Sequence, residues 1–536
     1  MAGRVHARMA QAAYVPVVAV VFGALYYWNA YVCDDAFITF RTVDNFVRGY
    51  GLRWNPLERV QVFTSPLFTL LTALAYWPVH DRSFVPNPDR IYWVALLLSF
   101  ALSLATLLWI MARARGNPWR WPLLALLLSS QAFVTFTSSG LETPLVYLLL
   151  ALFYTEFLRR DPPDSPRACF LLFGVAGLGV LNRLDMALLY LPACLWLLAR
   201  GWRRQGPAVL GRIVAALTPL GLWLGFAVVY FGFVLPNTYY PKAGLDVPPA
   251  VLHTMGLTYL SESFAQDPIT LLVIAAGLCV AWIDLRSLLT ACAAAGYVFY
   301  IYSLGGDFIG FRFLAPPFLV SGLLLLRVGG VRLAGAGARF SPLAVGAVVL
   351  YAALIPSSPL RAAFEPPLAT DVAFYHPASG LSKWRPGRAF PFDRFLSVFD
   401  AEHCVSLRTV EFGVGGSGGG LHSFCRGPES HLIDQIGITD PLMARLALPI
   451  RGAFHPAHVP KPLPAGYLES IRTGENRFAA PDLAAFYAKV RTIVSEPLFS
   501  RERWRYVVEL NLTRSRRFGA PYRGADGRLY RQIEVR

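Results

Sequence analysis

Apolar runs of roughly 17–25 residues recur down the first two thirds of the chain, separated by short Arg-rich gaps. That is the length a helix needs to cross a bilayer. The runs fall near 12–32, 91–112, 121–137, 144–158, 169–181, 186–200, 213–235, 268–283, 287–304, 313–326 and 341–357. The pattern predicts a polytopic α-helical membrane protein with about eleven transmembrane helices. The basic Arg4 and Arg8 before the first run resemble the start of a signal peptide, but no small-residue cleavage site follows, so a retained first helix is expected.

One further apolar stretch, Phe63 to Val79, is ambiguous, and parity decides how it is read. If it spanned, the loop Arg113–Arg120 and the Arg-rich loops after it would face outward. If it lies on the outer surface as an amphipathic or juxtamembrane helix, the loops Arg113–Arg120, Arg159–Arg167, Arg203–Arg212, Asp284–Arg286 and Arg327–Arg339 all fall inside. The second choice obeys the positive-inside rule throughout. It places the N-terminus in the cytoplasm and the C-terminal part outside.

From about Ser358 the apolar runs shorten, and Pro, Gly, His and charged residues rise. The chain therefore divides into a transmembrane domain, 1–357, whose residues 33–90 form a first outer loop with juxtamembrane helices, and a C-terminal extracytoplasmic domain, 358–536. That tail is large enough for its own core, of mixed α/β or β-rich character. Gly413 to Gly420 (GVGGSGGG) reads as a flexible loop, since it lacks the Gly-Lys-Ser/Thr ending of a phosphate-binding loop. No internal repeat is visible.

Composition agrees with a lipid environment. Of 536 residues 55% are hydrophobic and 15% charged, with mean hydropathy +0.45; a soluble chain would carry about 25% charged residues. The net charge of +16 is mostly arginine, and its position between apolar runs argues for membrane orientation rather than nucleic-acid binding. Four of the seven cysteines (Cys169, Cys194, Cys279, Cys292) lie in apolar runs, so no disulfide framework is implied. His403, Cys404, His422 and Cys425 match no common zinc spacing. A Cys404–Cys425 disulfide would suit an oxidising compartment. His455 and His458 read as loop residues.

The same topology gathers the unusual polar motifs on the outer side. They are Asp34-Asp35, SGLETP (139–144), NRLD (182–185), PNTYYPK (236–242) and GGDFIGFR (305–312). Charges near membrane depth are costly and face a cavity or a partner. Paired carboxylates at Asp34 and Asp35 suit glycosyl transfer, which needs a group to deprotonate an acceptor hydroxyl or to stabilise positive charge at an anomeric carbon. The bland alternative is a helix cap followed by a solvated charge. Adjacent carboxylates can also recruit a divalent cation, although no full ligand set is spelled out. Arg183, Lys242 and Arg312 can grip a phosphate, or else snorkel to lipid headgroups. Glu142, Asp185 and Asp307 can partner those cations. Asn237, Tyr239 and Tyr240 suit sugar hydroxyls, although tyrosines also anchor at interfaces.

At these residues the chain resembles a known family. The segment DDAFITFRTVDNFVRGYGLRWNPLERVQVFTSPLF, 34–68, is similar to the first outer loop of a bacterial membrane glycosyltransferase family. That family belongs to the GT-C superfamily and includes the mycobacterial terminal β-arabinofuranosyltransferase of cell-wall arabinan. SGLETPL, NRLDMALL, LPNTYYPKAG, GGDFIGFRFLAPP and DQIGITDPLMARL look like its later blocks, in the same order. The resemblance implies an outward-facing cavity beneath the first loop, with Asp34 and Asp35 standing where the superfamily keeps its catalytic carboxylates. It implies a polyprenyl-phosphate sugar donor of the decaprenyl-phosphoryl-arabinofuranose type, a glycan or glycolipid acceptor of the cell envelope, and a place in the bacterial cytoplasmic membrane with the active site in the periplasm. Two departures bear on the substrate rather than the reaction class. Gln61 and Phe63 stand where relatives often carry an acidic residue and a tyrosine, and NRLD replaces a commoner Arg-Pro-Asp pattern.

Two other classes compete. A transporter or flippase of lipid-linked sugars would also line a cavity with charge, but transporters often show paired repeats and broken spans, and none are visible here. A non-catalytic envelope or motor-assembly protein would use the tail as its working surface and leave Asp34 and Asp35 dispensable.

Overall fold

The structure is a computed structural model that describes residues 14–80, 88–159, 161, 163, 165–242, 247–307, 310–354, 359, 371–385, 412–415, 420–428, 430–446, 460–513 and 517–530. His403, Cys404, His455 and His458, and with them the Cys404–Cys425 pairing, lie outside the described residues. The chain divides into two compact units. One comprises 1–33, 92–220 and 252–392; the other comprises 34–91, 221–251 and 393–536.

Among the described residues, five helices are long and apolar enough to cross a membrane: Pro88–Arg113, Leu184–Gln205, Ala208–Phe231, Leu285–Ser303 and Ala315–Arg332. The count rises to seven if each of two bent pairs is one span. The protein is an integral membrane protein by this measure. The apolar runs expected near 121–137, 144–158, 169–181 and 341–357 form shorter apolar helices, at Arg120–Ser129, Thr143–Phe157, Pro166–Asn182 and Arg339–Leu354. The stretch expected on the surface, 63–79, folds as Pro66–Tyr76 followed by a 3-10 turn. One helix, Pro249–Gln266, lies in what the sequence left as a connection. It carries His253, Glu262 and several hydroxyls, so its apolar signal is weak.

In the first unit, Ala315–Arg332 is the central helix, packed by Pro268–Val280, Leu285–Ser303, Thr143–Phe157 and Arg120–Ser129. Small residues allow this approach, as is usual between membrane helices. A Cβ on Gly277 would stand 2.9 Å from Ser321 Cβ, and one on Gly329 would stand 2.8 Å from the Trp119 ring. Polar breaks are satisfied internally. The chain turns by 108° at Asp267-Pro268, where proline disfavours a continuing helix. Asp267 Oδ2 there accepts from the Ala132 N–H (2.9 Å), Thr270 Oγ1 (2.6 Å) and Ser130 Oγ (3.2 Å). Ser130 also caps Gln131–Thr135, which breaks the span expected at 121–137 into two pieces.

The second unit has a core of buried aromatic and aliphatic residues, among them Trp54, Phe63, Phe231, Phe233, Tyr467, Phe486 and Ile493. Its described helices include Asp34–Val47, Pro66–Tyr76, Gly420–Cys425, Tyr467–Thr473, Pro481–Ser495 and Arg501–Leu512. Its strands form two short pairs, Phe412–Gly415 parallel to His431–Asp434 and Tyr522–Arg523 antiparallel to Leu529–Tyr530. Part of the glycine-rich run read as a loop is therefore strand. The backbone of 412–415 finds its partners on the buried strand His431–Asp434, which a composition-based reading does not see.

Candidate active site

Asp34 and Asp35 open the helix Asp34–Val47. Negative side chains are favoured there by the helix dipole. Within the same unit the backbone N–H groups of Gly420 and Leu421 donate to Asp34 Oδ2 and Oδ1, each at 2.8 Å. Burial pushes the Asp34 carboxyl up to about 6, against the lowering effect of those two N–H bonds. Each Asp34 oxygen thus accepts one backbone N–H bond and keeps a second lone pair for a further partner. No group of three or more His, Cys, Asp or Glu is placed to hold a metal ion among the described residues. Asp34 and Asp35 alone make no full ligand set among the described residues, and no step is routed through a divalent cation.

The helix carrying these aspartates is fixed by a buried guanidinium. Arg41 Nε donates to the Trp54 carbonyl at 2.8 Å, and its terminal nitrogens donate to the carbonyls of Ser430 (2.7 Å) and Ser423. Its charge lies over the Trp54 ring at 5.0 Å. Among the described residues no carboxylate bonds to it directly, and burial pulls it down to about 9.

A second group of charges in this unit was not foreseen. Asp440, in the block DQIGITDPLMARL, accepts from the N–H groups of Leu442 (2.9 Å) and Met443 (2.7 Å) and from the Tyr467 hydroxyl (2.8 Å). Burial raises it to about 7. Burial and the neighbouring Asp440 charge push Glu58 up to about 8. Burial pulls Lys461 down to about 7. Arg445 is 1% exposed and sits between the rings of Phe233 and Tyr240, at 4.1 and 4.0 Å. Glu58 lies in the block 34–68 and Asp440 and Arg445 lie in 434–446, but nothing in the sequence pairs them.

Asn237 is committed to the same region. Its Nδ2 lies within 3.1 Å of the carbonyls of Gly437, Ile438 and Asp440, and its Oδ1 accepts from Arg445 at 3.0 Å. Its backbone N–H donates to the Gln61 carbonyl at 2.7 Å. These are the contacts of a residue supporting the loop 437–440. Tyr240 is buried beneath Arg445, whereas Tyr239 and Lys242 are exposed on the short helix Tyr239–Lys242.

The first unit holds the other candidates and brings four of them together. Arg183 caps the end of Pro166–Asn182 and grips Asp185 with both prongs, Nε to Oδ1 at 2.9 Å and a terminal nitrogen to Oδ2 at 2.8 Å. Its third donation goes to Glu142 Oε1 at 2.5 Å. Arg312 approaches the same Oε1 at 3.5 Å, and both guanidiniums lie against the Phe313 ring. Tyr297 donates to Asp185 Oδ2 at 2.8 Å. Although burial opposes ionisation, Arg183 and Arg312 hold the Glu142 carboxyl down at about 2. Burial likewise opposes the Arg183 charge, but Asp185 and Glu142 keep its pKa well above the usual value. The loop before Arg312 is contorted. Gly305 and Gly306 have φ of +86° and +77°, and the buried Phe311 has φ of +68°, a conformation that a bulky residue rarely adopts. Asp307 lies in this loop.

Residues 13–243, which include seven of these motif residues before the Asp307–Arg312 loop and both aspartates, match the Alg9-like mannosyltransferase family. Over this part the chain is similar to membrane glycosyltransferases of the GT-C type, as the motifs imply. More particularly, it is 32% identical over 251 residues to the terminal β-(1→2)-arabinofuranosyltransferase of Mycobacterium tuberculosis, covering 42% of this chain and 37% of that protein. It is 28% identical over 352 residues to the terminal β-(1→2)-arabinofuranosyltransferase of Corynebacterium glutamicum, covering 56% and 48%. The chain thus spans less than half the length of either curated relative. The crystal structure of ArnT from Cupriavidus metallidurans bound to undecaprenyl phosphate aligns with a TM-score of 0.47 at 13% identity, covering 80% of this chain and 87% of that one. The apo ArnT structure gives 0.41 at 14% identity, covering 65% and 64%.

Proposed function

We propose that this protein transfers a sugar, arabinofuranose, from a polyprenyl-phosphate donor to a cell-envelope glycan or glycolipid on the outer face of the bacterial cytoplasmic membrane. The observation that carries the reading is Asp34, a half-buried carboxyl pushed up to about 6 and held in place by two backbone N–H groups. A general base works best when its pKa lies near the working pH. The names of the two curated relatives support the sugar.

In the reaction, Asp34 or Asp35 takes the proton of an acceptor hydroxyl as its oxygen attacks the anomeric carbon. The bond from that carbon to the phosphate oxygen breaks, and the lipid phosphate leaves with the electron pair. Arg183, Lys242 and Arg312 neutralise that phosphate. Glu142 and Asp185 hold Arg183 in its rotamer until the donor arrives; one N–H on each terminal nitrogen of Arg183 is not engaged by these carboxylates. Asp307 and Tyr239 complete the sugar and acceptor surroundings, and Asn237 and Tyr240 support them. The N-terminus lies in the cytoplasm, an odd number of spans carries the chain to the outer face, and residues 358–536 present the acceptor from the periplasm.

The test is transfer from synthetic polyprenyl-phosphoryl arabinofuranose to a short arabinan by the purified protein, beside Asp34→Asn, Asp35→Asn and the double variant. The double variant is expected to lose activity by about 10²-fold or more, the usual worth of general acid–base catalysis. Full activity in the double variant would remove both aspartates from the chemistry. Absence of transfer by the unaltered protein across a panel of lipid-phosphate sugars would remove the transferase reading itself.

A further inference from the structure

A cavity of about 450 Å³ in the first unit is used by none of the chemistry above. It lies where Pro88–Arg113, Thr143–Phe157 and Ala315–Arg332 end, on the loops that the positive-inside rule assigns to the cytoplasm. Its lining combines two kinds of surface. Arg113, Arg115, Arg159 and Arg327 are cationic, whereas Ile110, Leu323 and their neighbours are apolar.

Three helix C-termini bring carbonyl ends together here, and some of the arginines answer to them. Arg327 donates to the carbonyls of Leu158 and Arg159, the latter at 2.8 Å. Arg286, which is not part of the lining, donates to the carbonyls of Phe157 and Arg159 at 3.0 and 2.9 Å. That role alone does not account for the remaining charge. Glu156 pairs with both Arg113 and Arg159, Asp284 pairs with Arg327, and Asp161 lies on the exposed rim. Four lining guanidiniums thus stand against three carboxylates among the described residues. Arg115 meets no carboxylate; its guanidinium reaches only the Tyr14 hydroxyl (3.3 Å) and ring (5.7 Å) among the described residues.

A second observation points to a ligand. The Arg327 side chain is 8% exposed, and its buried Nε has no hydrogen-bond partner among the described residues. A buried donor of this kind calls for an acceptor, and an anionic one gives the stronger bond. We propose that this cavity binds the phosphate of an anionic phospholipid, with the single charge of a phosphodiester matching the unbalanced guanidinium and the apolar wall meeting the start of the acyl chains. Basic pockets between membrane helices on the cytoplasmic side take lipid headgroups by this combination.

The experiment is competitive lipid binding to the purified full chain by native mass spectrometry, with phosphatidylglycerol, phosphatidylcholine and inorganic phosphate as probes. The unaltered protein should retain one phosphatidylglycerol in preference to phosphatidylcholine. Arg115→Gln should weaken that preference about fivefold, the worth of one basic residue near a headgroup, while Arg115→Lys should keep it. Asp161→Asn, on the exposed rim, should strengthen it and does not depend on how Arg115→Gln folds. Equal retention of the two lipids, or no response to Asp161→Asn, would overturn the proposal. Displacement of phosphatidylglycerol by millimolar inorganic phosphate would assign the cavity to free phosphate instead of a lipid.

Discussion

The individual charged residues of this protein differ most in how their surroundings treat ionisation. Glu142 and Glu58 are the same residue type in opposite situations. Two guanidiniums hold Glu142 ionised, whereas burial beside Asp440 keeps Glu58 protonated. The consequences for stability have opposite signs. For Glu142 the folded pKa lies below the ordinary 4.5, so the stability it contributes is present above that value and is lost as pH falls toward about 2. For Glu58 the folded pKa is about 8 against an ordinary 4.5, so the folded state binds more protons between those values and stability falls as pH rises through that window. Asp440, at about 7 against 3.8, adds to the same fall. Glu58→Gln should therefore raise the thermal midpoint at pH 8 and flatten its pH dependence, as read by unfolding scans in detergent from pH 5 to pH 8.5; an unchanged slope would count against the assignment. Glu142→Ala leaves Arg183 and Arg312 without a shared anion, and breaking such a buried pair costs about 3–5 kcal/mol. The same scans should show it as a marked drop in midpoint at neutral pH. The Arg183–Asp185 pairing was the most legible part of the candidate site, because the two residues stand two apart in one motif. Glu58 and Asp440 stand at opposite ends of the sequence, so neither composition nor spacing could pair them.

At the scale of elements, the docking of Gly420–Cys425 on Asp34–Val47 depends on the absence of a side chain. A Cβ on Gly420 would stand 2.0 Å from the Asp34 carbonyl oxygen and 3.1 Å from the Ile38 nitrogen. Gly420→Ala must push the short helix away, and overpacking of this kind costs about 1–3 kcal/mol. The N–H groups of Gly420 and Leu421 would then leave the Asp34 carboxylate. The expected outcome is a fall in sugar transfer comparable with Asp34→Asn, with transmembrane helix content retained by circular dichroism; full activity would show that this docking is dispensable. Helix identity was readable from apolar runs because lipid-facing and core-facing positions are both hydrophobic. Helix ends were not. Ser130 and Asp267 close breaks through side-chain bonds to partners more than a hundred residues away, and Pro249–Gln266 was missed because its polar residues dilute the apolar signal.

At the scale of the whole molecule, the orientation in the membrane is the claim with the widest reach. It is tested by single cysteines in a cysteine-free background. A membrane-impermeant maleimide applied to intact cells should label Tyr239→Cys, on the exposed face of Tyr239–Lys242, and should leave Gly116→Cys unlabelled until the membrane is opened. The reverse pattern would invert the topology and move the proposed chemistry to the cytoplasm. By itself, the sequence determined the membrane class, most of the apolar helices and the polar blocks proposed to carry the chemistry, because hydropathy and charge are local properties that a bilayer sorts directly. Only the tertiary structure decided which carboxylates are held ionised and which are kept neutral, that Asp34 accepts two backbone N–H bonds from Gly420 and Leu421, and that part of a glycine run is strand. Those outcomes depend on desolvation and on partners far away in the chain, and neither is present until the chain has folded.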